Sequence, residues 1–232
     1  MGIFIRGFLT QNSMVDGTTR ESPSLAKHSA SEDGIDLELT AESESSERIK
    51  QVVIAGVLAS LSIAIAPSAS MIARVAGWGI ALFDPVSLFW IAAFLIGGYR
   101  VGIISVFAGT MGLFLYDPTA IGPVFKLLAT LPMILIPYFG VRRLRRVEGG
   151  EALSRPKFYT MMMSLAFVVR FAIMLPANLL YWSLFFQVFE PANFLYILTV
   201  VISINSVQSI GDALGPYLII YPTKIFKHFG MW

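Results

Sequence analysis

Long apolar runs separated by short polar connections dominate the chain from Gln51 onward. The runs extend from Gln51 to about Ala66, about Asp84 to Gly97, Val101 to Tyr116, about Ile121 to Val141, Phe158 to about Phe186, and about Asn193 to Tyr221. Runs of this kind are typical of membrane-spanning helices. The pattern therefore predicts an all-α integral membrane protein, built as a bundle of six transmembrane helices.

The second and third runs are short, and only "GGYR" separates them. About fifteen residues make roughly 22 Å of helix, against a hydrocarbon core of roughly 30 Å. These two runs are expected either to cross with little tilt or to form a partly re-entrant hairpin. The fifth and sixth runs are much longer, and we expect Pro176 and Pro216 to kink them.

The first fifty residues have a different pattern. They are rich in Ser, Glu and Asp ("SASEDGIDLELTAESESSERIK") and have no sustained apolar period. This composition predicts a disordered cytoplasmic tail over residues 1–50. The opening "MGIFIRGFL" is either a short surface anchor or a sign that the true start is Met14 or later. A membrane domain over residues 51–223 and a short cytoplasmic tail over 224–232 complete the predicted organisation.

Composition and charge support this division. The hydrophobic fraction is 56% and the charged fraction 14%, where soluble domains carry roughly a quarter charged residues. Residues 1–50 hold five basic and nine acidic residues (net −4), whereas residues 51–232 hold twelve basic and six acidic (net +6). The chain has no Cys, so neither a disulfide nor a thiolate metal site is predicted.

Lysine and arginine collect in alternate connections, which indicates the orientation. If the N-terminus is cytoplasmic, the outer loops hold only Arg74 as a cation, with Asp117 and Glu190. The inner connections then hold Arg48, Lys50, Arg100, Arg142, Arg143, Arg145, Arg146, Arg155, Lys157, Lys224 and Lys227. We therefore expect both termini in the cytoplasm and a multi-pass protein of the plasma membrane.

Motifs for the common membrane enzymes are missing from the sequence. It has no G-x-x-x-x-G-K-[ST], no H-E-x-x-H and no G-x-S-x-G, and its only histidines are His28 and His228. The chain is therefore predicted not to be an enzyme and to need no metal or cofactor. The apolar composition indicates that the chain lies in the lipid bilayer, and no nucleic-acid partner is expected.

Two charged residues lie deep inside the fifth and sixth runs. Arg170 lies twelve residues from Phe158, and Asp212 lies twelve residues from Lys224. Both are thus roughly 18 Å from the same side, on helices that are sequential and antiparallel. A lone charge in hydrocarbon would cost several kcal/mol, so the spacing predicts an Arg170–Asp212 ion pair. The pair is either structural or the floor of a binding cavity.

Polar side chains follow one face of each of these two helices. The sixth run carries Asn205, Gln208, Ser209 and Asp212 at i, i+3, i+4 and i+7, and the fifth carries Arg170, Met174, Asn178 and Tyr181 at i, i+4, i+8 and i+11. Such stripes indicate either interhelical hydrogen bonds or a ligand site. Elsewhere, Asp84 before Pro85 is typical of an N-cap, and the Lys126 stem is expected to snorkel.

The membrane part resembles the substrate-binding S components of energy-coupling-factor (ECF) vitamin transporters. The likeness covers about Ile54 to Tyr221 and includes "AGVLASLSIAIAP", "WGIALFDPVSLFWIAAFLIGGYRVGIISVFAGTMGLFL", "PVFKLLATLPMILIPYFGVRRLRR" and "INSVQSIGDALGPYLIIYP". It implies a vitamin pocket near the outer side, a transmembrane T component and two ABC-type ATPase subunits as partners. Ala55 and Ala59 would be the docking stripe, and the connection from Pro67 to Phe83 a lid.

The fifth run, "VVRFAIMLPANLLY", is most similar to the riboflavin-specific members, although Gln208 stands where those members have Lys. The resemblance implies riboflavin as the transported ligand, with another vitamin or small molecule as the alternative. A non-transport structural subunit of a membrane complex is the second alternative. For riboflavin, the residues expected to bind the substrate are Asn178, Asn205, Gln208, Tyr181, Trp78, Asp84 and Tyr116. Trp182 is expected to add a further aromatic wall.

Overall fold

The computed structural model describes residues 24–69, 84–117, 119–144, 149–184, 190–229 and 232. In this part of the chain all regular structure is helical. The helices are α1 (Ser24–Ala69), α2 (Pro85–Leu113), α3 (Ile121–Leu144), α4 (Gly150–Leu153), α5 (Pro156–Ser183), α6 (Pro191–Thr223) and α7 (Ile225–Phe229). The chain divides into two compact units, Met1–Glu44 and Ser45–Trp232, and the second unit contains the cavity described below.

Five helices of the described chain are long and apolar enough to cross a membrane. These spans are Glu44–Ala69, Pro85–Leu113, Ile121–Leu144, Pro156–Ser183 and Asn193–Thr223. The membrane class predicted from the sequence is therefore supported, but the predicted six helices are not all separate. The predicted second and third runs belong to one helical element, α2.

Helix α2 folds back on itself at Gly98, whose φ of 80° and ψ of −168° interrupt the helix. A Cβ atom placed on Gly102 would lie 2.7 Å from the Phe94 Cβ, and one on Gly109 would meet the Trp90 ring. In a straight helix, residues eight apart are separated by about 12 Å. Residues 85–97 and 99–113 thus form a hairpin of two short helices, roughly 20 and 22 Å long. Glycine is required at the turn because a side chain disfavours this φ.

The predicted disordered tail is wrong over Ser24 to Lys50, which the structure places in α1. This stretch has no Pro and a single Gly, and beside six Ser it holds five Glu, three Ala and three Leu, which are good helix formers. A low apolar content predicted disorder, but helix propensity does not depend on an apolar face. The predicted stop at Pro67 is also too early, since Pro67 lies in the last turn and α1 ends at Ala69.

The α2 hairpin lies at the centre of the second unit. Trp90, Phe94 and Leu95 are fully buried, and they share one apolar cluster with Met133 of α3. Trp90 Nε1 donates a hydrogen bond of 2.8 Å to Ser62 Oγ of α1. The predicted cytoplasmic tail is also part of this core: Phe226 of α7 is buried, and the Trp232 ring centroid lies 5.1 Å from that of Phe94.

The small residues predicted to dock a partner face inward. Ala55 is fully buried in a cluster with Ala93 and Val101 of the hairpin, and Ala59 is only 3% exposed. Ala55 lets α1 approach α2 closely, and neither alanine is exposed to a partner, so the predicted partner-docking role of Ala55 and Ala59 is wrong. The spacing of small residues indicated close helix contact, but the contact is internal.

Candidate functional site

The buried Arg170 on α5 is held by three side chains of α6. Its Nη1 donates to Asp212 Oδ2 at 2.7 Å, its Nη2 to Gln208 Oε1 at 3.0 Å, and its Nε to Asn205 Oδ1 at 3.3 Å. Arg170 is 2% exposed and Asp212 is 3% exposed. The predicted Arg170–Asp212 ion pair is thus present. The three partners occur at i, i+3 and i+7 because one face of α6 is turned toward α5.

The hairpin joins this network through Ser87, in the first turn of α2. Ser87 Oγ donates a hydrogen bond of 2.6 Å to Asp212 Oδ1. The Asp212 carboxylate therefore has a partner on each oxygen, from two different helices. A carboxylate can be buried in an apolar bundle when both of its oxygens accept hydrogen bonds in this way. The sequence did not predict Ser87, because nothing along the chain places α2 against α6.

A cavity of about 860 Å³ lies against this network and is bounded by parts of α1, α2, α3, α5 and α6. Asn178, Tyr181, Asn205, Gln208, Asp84 and Tyr116, all predicted to bind substrate, line it together with Arg170 and Asp212. Trp78 and the predicted lid beyond Ala69 lie outside the described residues. The geometry brings six of the seven predicted residues to one hollow, while their role toward a ligand stays a prediction.

The two asparagines are oriented by their own helices. Asn178 Nδ2 donates to Met174 O at 2.7 Å, and Asn205 Nδ2 donates to Val201 O at 2.9 Å. The Asn205 oxygen accepts from Arg170, whereas the Asn178 oxygen has no hydrogen-bond partner among the described residues. Asn178, which lines the cavity, therefore has an acceptor oxygen that no described residue uses.

Aromatic side chains of α3 and α5 form one wall of the cavity. The Phe125 and Tyr181 ring centroids are 5.8 Å apart, and those of Tyr181 and Trp182 are 5.5 Å apart, both in edge-on arrangements. All three residues line the cavity. The sequence indicated Tyr181 and Trp182 but not Phe125, since Phe125 belongs to a run in which most residues are apolar.

A second ion pair lies in the cavity wall. Lys126 Nζ of α3 contacts Asp84 Oδ2, and both side chains are partly exposed. Asp84 also caps α2, because its Oδ1 accepts a hydrogen bond of 3.0 Å from Val86 N. The predicted N-cap is confirmed. The sequence treated Lys126 only as a snorkelling side chain and missed this partner, which lies more than forty positions away.

Asp117 completes the charged lining. Its carboxylate accepts hydrogen bonds from Thr119 N at 3.1 Å and Gly122 N at 3.0 Å, just before and within the first turn of α3. It lies in the α2–α3 connection and also lines the cavity. Among the described residues it forms no ion pair.

Comparison with known proteins adds nothing to this geometry: no protein-family model, curated protein or solved structure matches the chain.

Proposed function

We propose that this chain is the substrate-binding S component of an ECF-type vitamin uptake transporter, with riboflavin as the first candidate ligand. A T component and two ABC-type ATPases would supply partner helices and ATP hydrolysis. The single observation that carries the proposal is the cavity of about 860 Å³, lined by the polar faces of α5 and α6. Small-molecule sites are typically hollows of about 300–1,000 Å³ with a few fixed polar groups.

The lining chemistry fits a planar heteroaromatic ligand. The Phe125–Tyr181–Trp182 wall offers edge and face contacts to a ring system. The Asn178 oxygen, together with the amides of Asn205 and Gln208, could serve the uracil-like edge of an isoalloxazine. This pairing of an aromatic wall with several amide groups favours riboflavin as the first candidate ligand.

The proposed topology has both halves of the α2 hairpin crossing the membrane, which gives six crossings with both termini in the cytoplasm. The reversal at Gly98 supports it, because the chain direction changes there as six crossings require. Each half is shorter than a typical hydrocarbon core, so the bilayer must thin locally or the hairpin must be shielded by its neighbours. The buried state of Trp90, Phe94 and Leu95 is consistent with shielding.

Flavin fluorescence tests the ligand directly. Purified protein titrated with riboflavin is expected to quench the flavin emission with saturation at micromolar ligand or below. The Asn178→Ala variant should bind about tenfold more weakly, since it loses a buried acceptor aimed at the ligand. Thr199→Ala is the matched control, because Thr199 is an exposed polar residue of α6 that does not line the cavity. Absence of quenching would remove riboflavin as the ligand.

One observation favours a structural subunit as the second candidate. All three Arg170 nitrogens already have partners inside the protein, so the network is complete without a ligand. A structural role predicts that Asn178→Ala and Asn205→Ala change stability but not uptake. Mass spectrometry of the small molecule that copurifies with the protein separates this candidate from S components for riboflavin or for another vitamin.

A further inference from the structure

The charges that line the cavity are unevenly balanced. Three carboxylates, Asp84, Asp117 and Asp212, share the lining with two cations, Lys126 and Arg170. With every group ionised, these described residues carry a net charge of −1. A ligand that enters must displace water from these groups, so its own charge decides much of the binding free energy.

Both cations are already engaged by carboxylates of the protein. Arg170 uses Nη1 for Asp212 and its other two nitrogens for Asn205 and Gln208. Lys126 is paired with Asp84. Among the described lining residues, no cation is thus left to neutralise a bound anion.

The third carboxylate lies at the start of α3, the helix that carries Lys126, and it lines the same cavity as the Lys126–Asp84 pair. Asp117 is held by Gly122 N, and Gly122 lies four residues, about 6 Å along α3, before Lys126. A phosphate near the pair would therefore meet two carboxylates for one cation. A phosphate monoester carries about −1.5 to −2 charges at pH 7, so repulsion would be strong.

We infer that the cavity accepts uncharged or cationic ligands and rejects their phosphorylated forms, and that the Asp84–Lys126 pair sets this selectivity. The inference rests on the proposed function and narrows its substrate class. Because Asp84 already neutralises Lys126, Lys126 is not free to bind a phosphate. Lys126 in turn neutralises the Asp84 carboxylate.

The test compares ligand pairs that differ by a phosphate. The full chain in detergent is titrated with riboflavin and riboflavin 5′-phosphate, and separately with thiamine and thiamine monophosphate. Riboflavin 5′-acetate adds bulk without charge and controls for steric exclusion. We expect the unphosphorylated member of the pair that binds to be favoured by about 30-fold or more.

Two variants examine the pair itself. Asp84→Asn keeps a good helix cap and frees Lys126. It should therefore reduce the preference for the unphosphorylated over the phosphorylated ligand about tenfold. Lys126→Gln removes the cation and leaves Asp84 charged, so it should not narrow the preference at all. Elution profiles and helical circular dichroism of both variants check that they fold.

The outcomes separate the inference from the proposed function. Equal affinity for phosphorylated and unphosphorylated ligands would overturn the inference and leave the transporter proposal standing. The same holds if Asp84→Asn leaves the preference unchanged, or if riboflavin 5′-acetate is rejected as strongly as the phosphate. If no member of either pair binds, the riboflavin assignment of the proposed function fails, and the inference, which rests on it, fails with it.

Discussion

Arg170 shows how a residue that is costly to bury becomes stable in an apolar bundle. It is 2% exposed, yet each of its three nitrogens donates a hydrogen bond to α6. Removing either Arg170 or Asp212 leaves the other as a buried charge without a counter-charge. Replacing both residues by apolar groups leaves no charge that needs one. The single substitutions are therefore expected to be worse than the double one.

Substitution of the ion pair tests this argument. Asp212→Leu should lower the free energy of unfolding by about 3–5 kcal/mol, and Arg170→Met should do so too. The double variant should lose clearly less than the sum of the two. Unfolding in mixed micelles of increasing denaturing detergent measures the differences.

Thr199→Ala serves as the reference for these unfolding measurements, because Thr199 is exposed and bonds only its own helix backbone. Additive losses in the double variant would contradict the direct coupling between Arg170 and Asp212.

At the scale of an element, α1 has two different faces. On its inner face Ala55 packs against Ala93 and Val101 of the hairpin, and Ala59 is buried. Its outer face exposes Val53 and Val57, and a Cβ atom at Gly56 would meet nothing within 4 Å. Ala55 and Gly56 are adjacent in α1 but lie on different faces, so one can test packing within the chain and the other can test partner docking.

Leucine at positions 55 and 56 distinguishes packing within the chain from partner docking. Ala55→Leu should cost about 1–3 kcal/mol of stability, because it overpacks the contact with Ala93 and Val101. The exposed face of α1 is the part of the predicted docking helix that a T component could reach. Gly56→Leu should therefore leave folding and ligand binding intact, while weakening copurification of the proposed T component. Thermal unfolding and pull-down from membranes measure the two effects. A stable, fully assembled Gly56→Leu variant would remove this face of α1 from the proposed interface.

At the scale of the whole molecule, the α2 hairpin connects the C-terminal residues, the core and the cavity. At its N-terminal end Asp84 pairs with Lys126 and Ser87 joins the Arg170–Asp212 network, and its tip at Gly98 contacts Trp232. The two ends of the hairpin thus belong to opposite ends of the bundle, the cavity at one and the C-terminal residues at the other. This arrangement agrees with the proposed orientation, in which the cavity opens outward.

Cysteine labelling tests the proposed topology, because the chain has no Cys of its own. Glu151→Cys is expected to be cytoplasmic and Glu190→Cys external, and both positions are exposed. Glu190 makes no side-chain capping hydrogen bond, so its substitution should not disturb α6. A membrane-impermeant maleimide on intact cells should label only Glu190→Cys. Labelling of Glu151→Cys alone would invert the orientation.

The sequence predicted well those features that depend on positions along one or two neighbouring helices. The apolar runs indicated α3, α5 and α6 to within a few residues, because lipid demands an apolar surface over a defined length. The Arg170–Asp212 pair followed from equal depth on consecutive antiparallel helices. The Asp84 cap followed from local chemistry alone.

Contacts between distant segments were decided only by the tertiary structure. The partners of Lys126 and Ser87 lie far away in the sequence, and the inward turn of Ala55 depends on which side of α1 meets the hairpin. Sequence periodicity identifies the apolar and polar faces of a helix, but it does not determine which neighbouring helix each face contacts. That choice is made by the joint packing of all the helices, so the shape and charge of the cavity emerge only when the bundle is assembled.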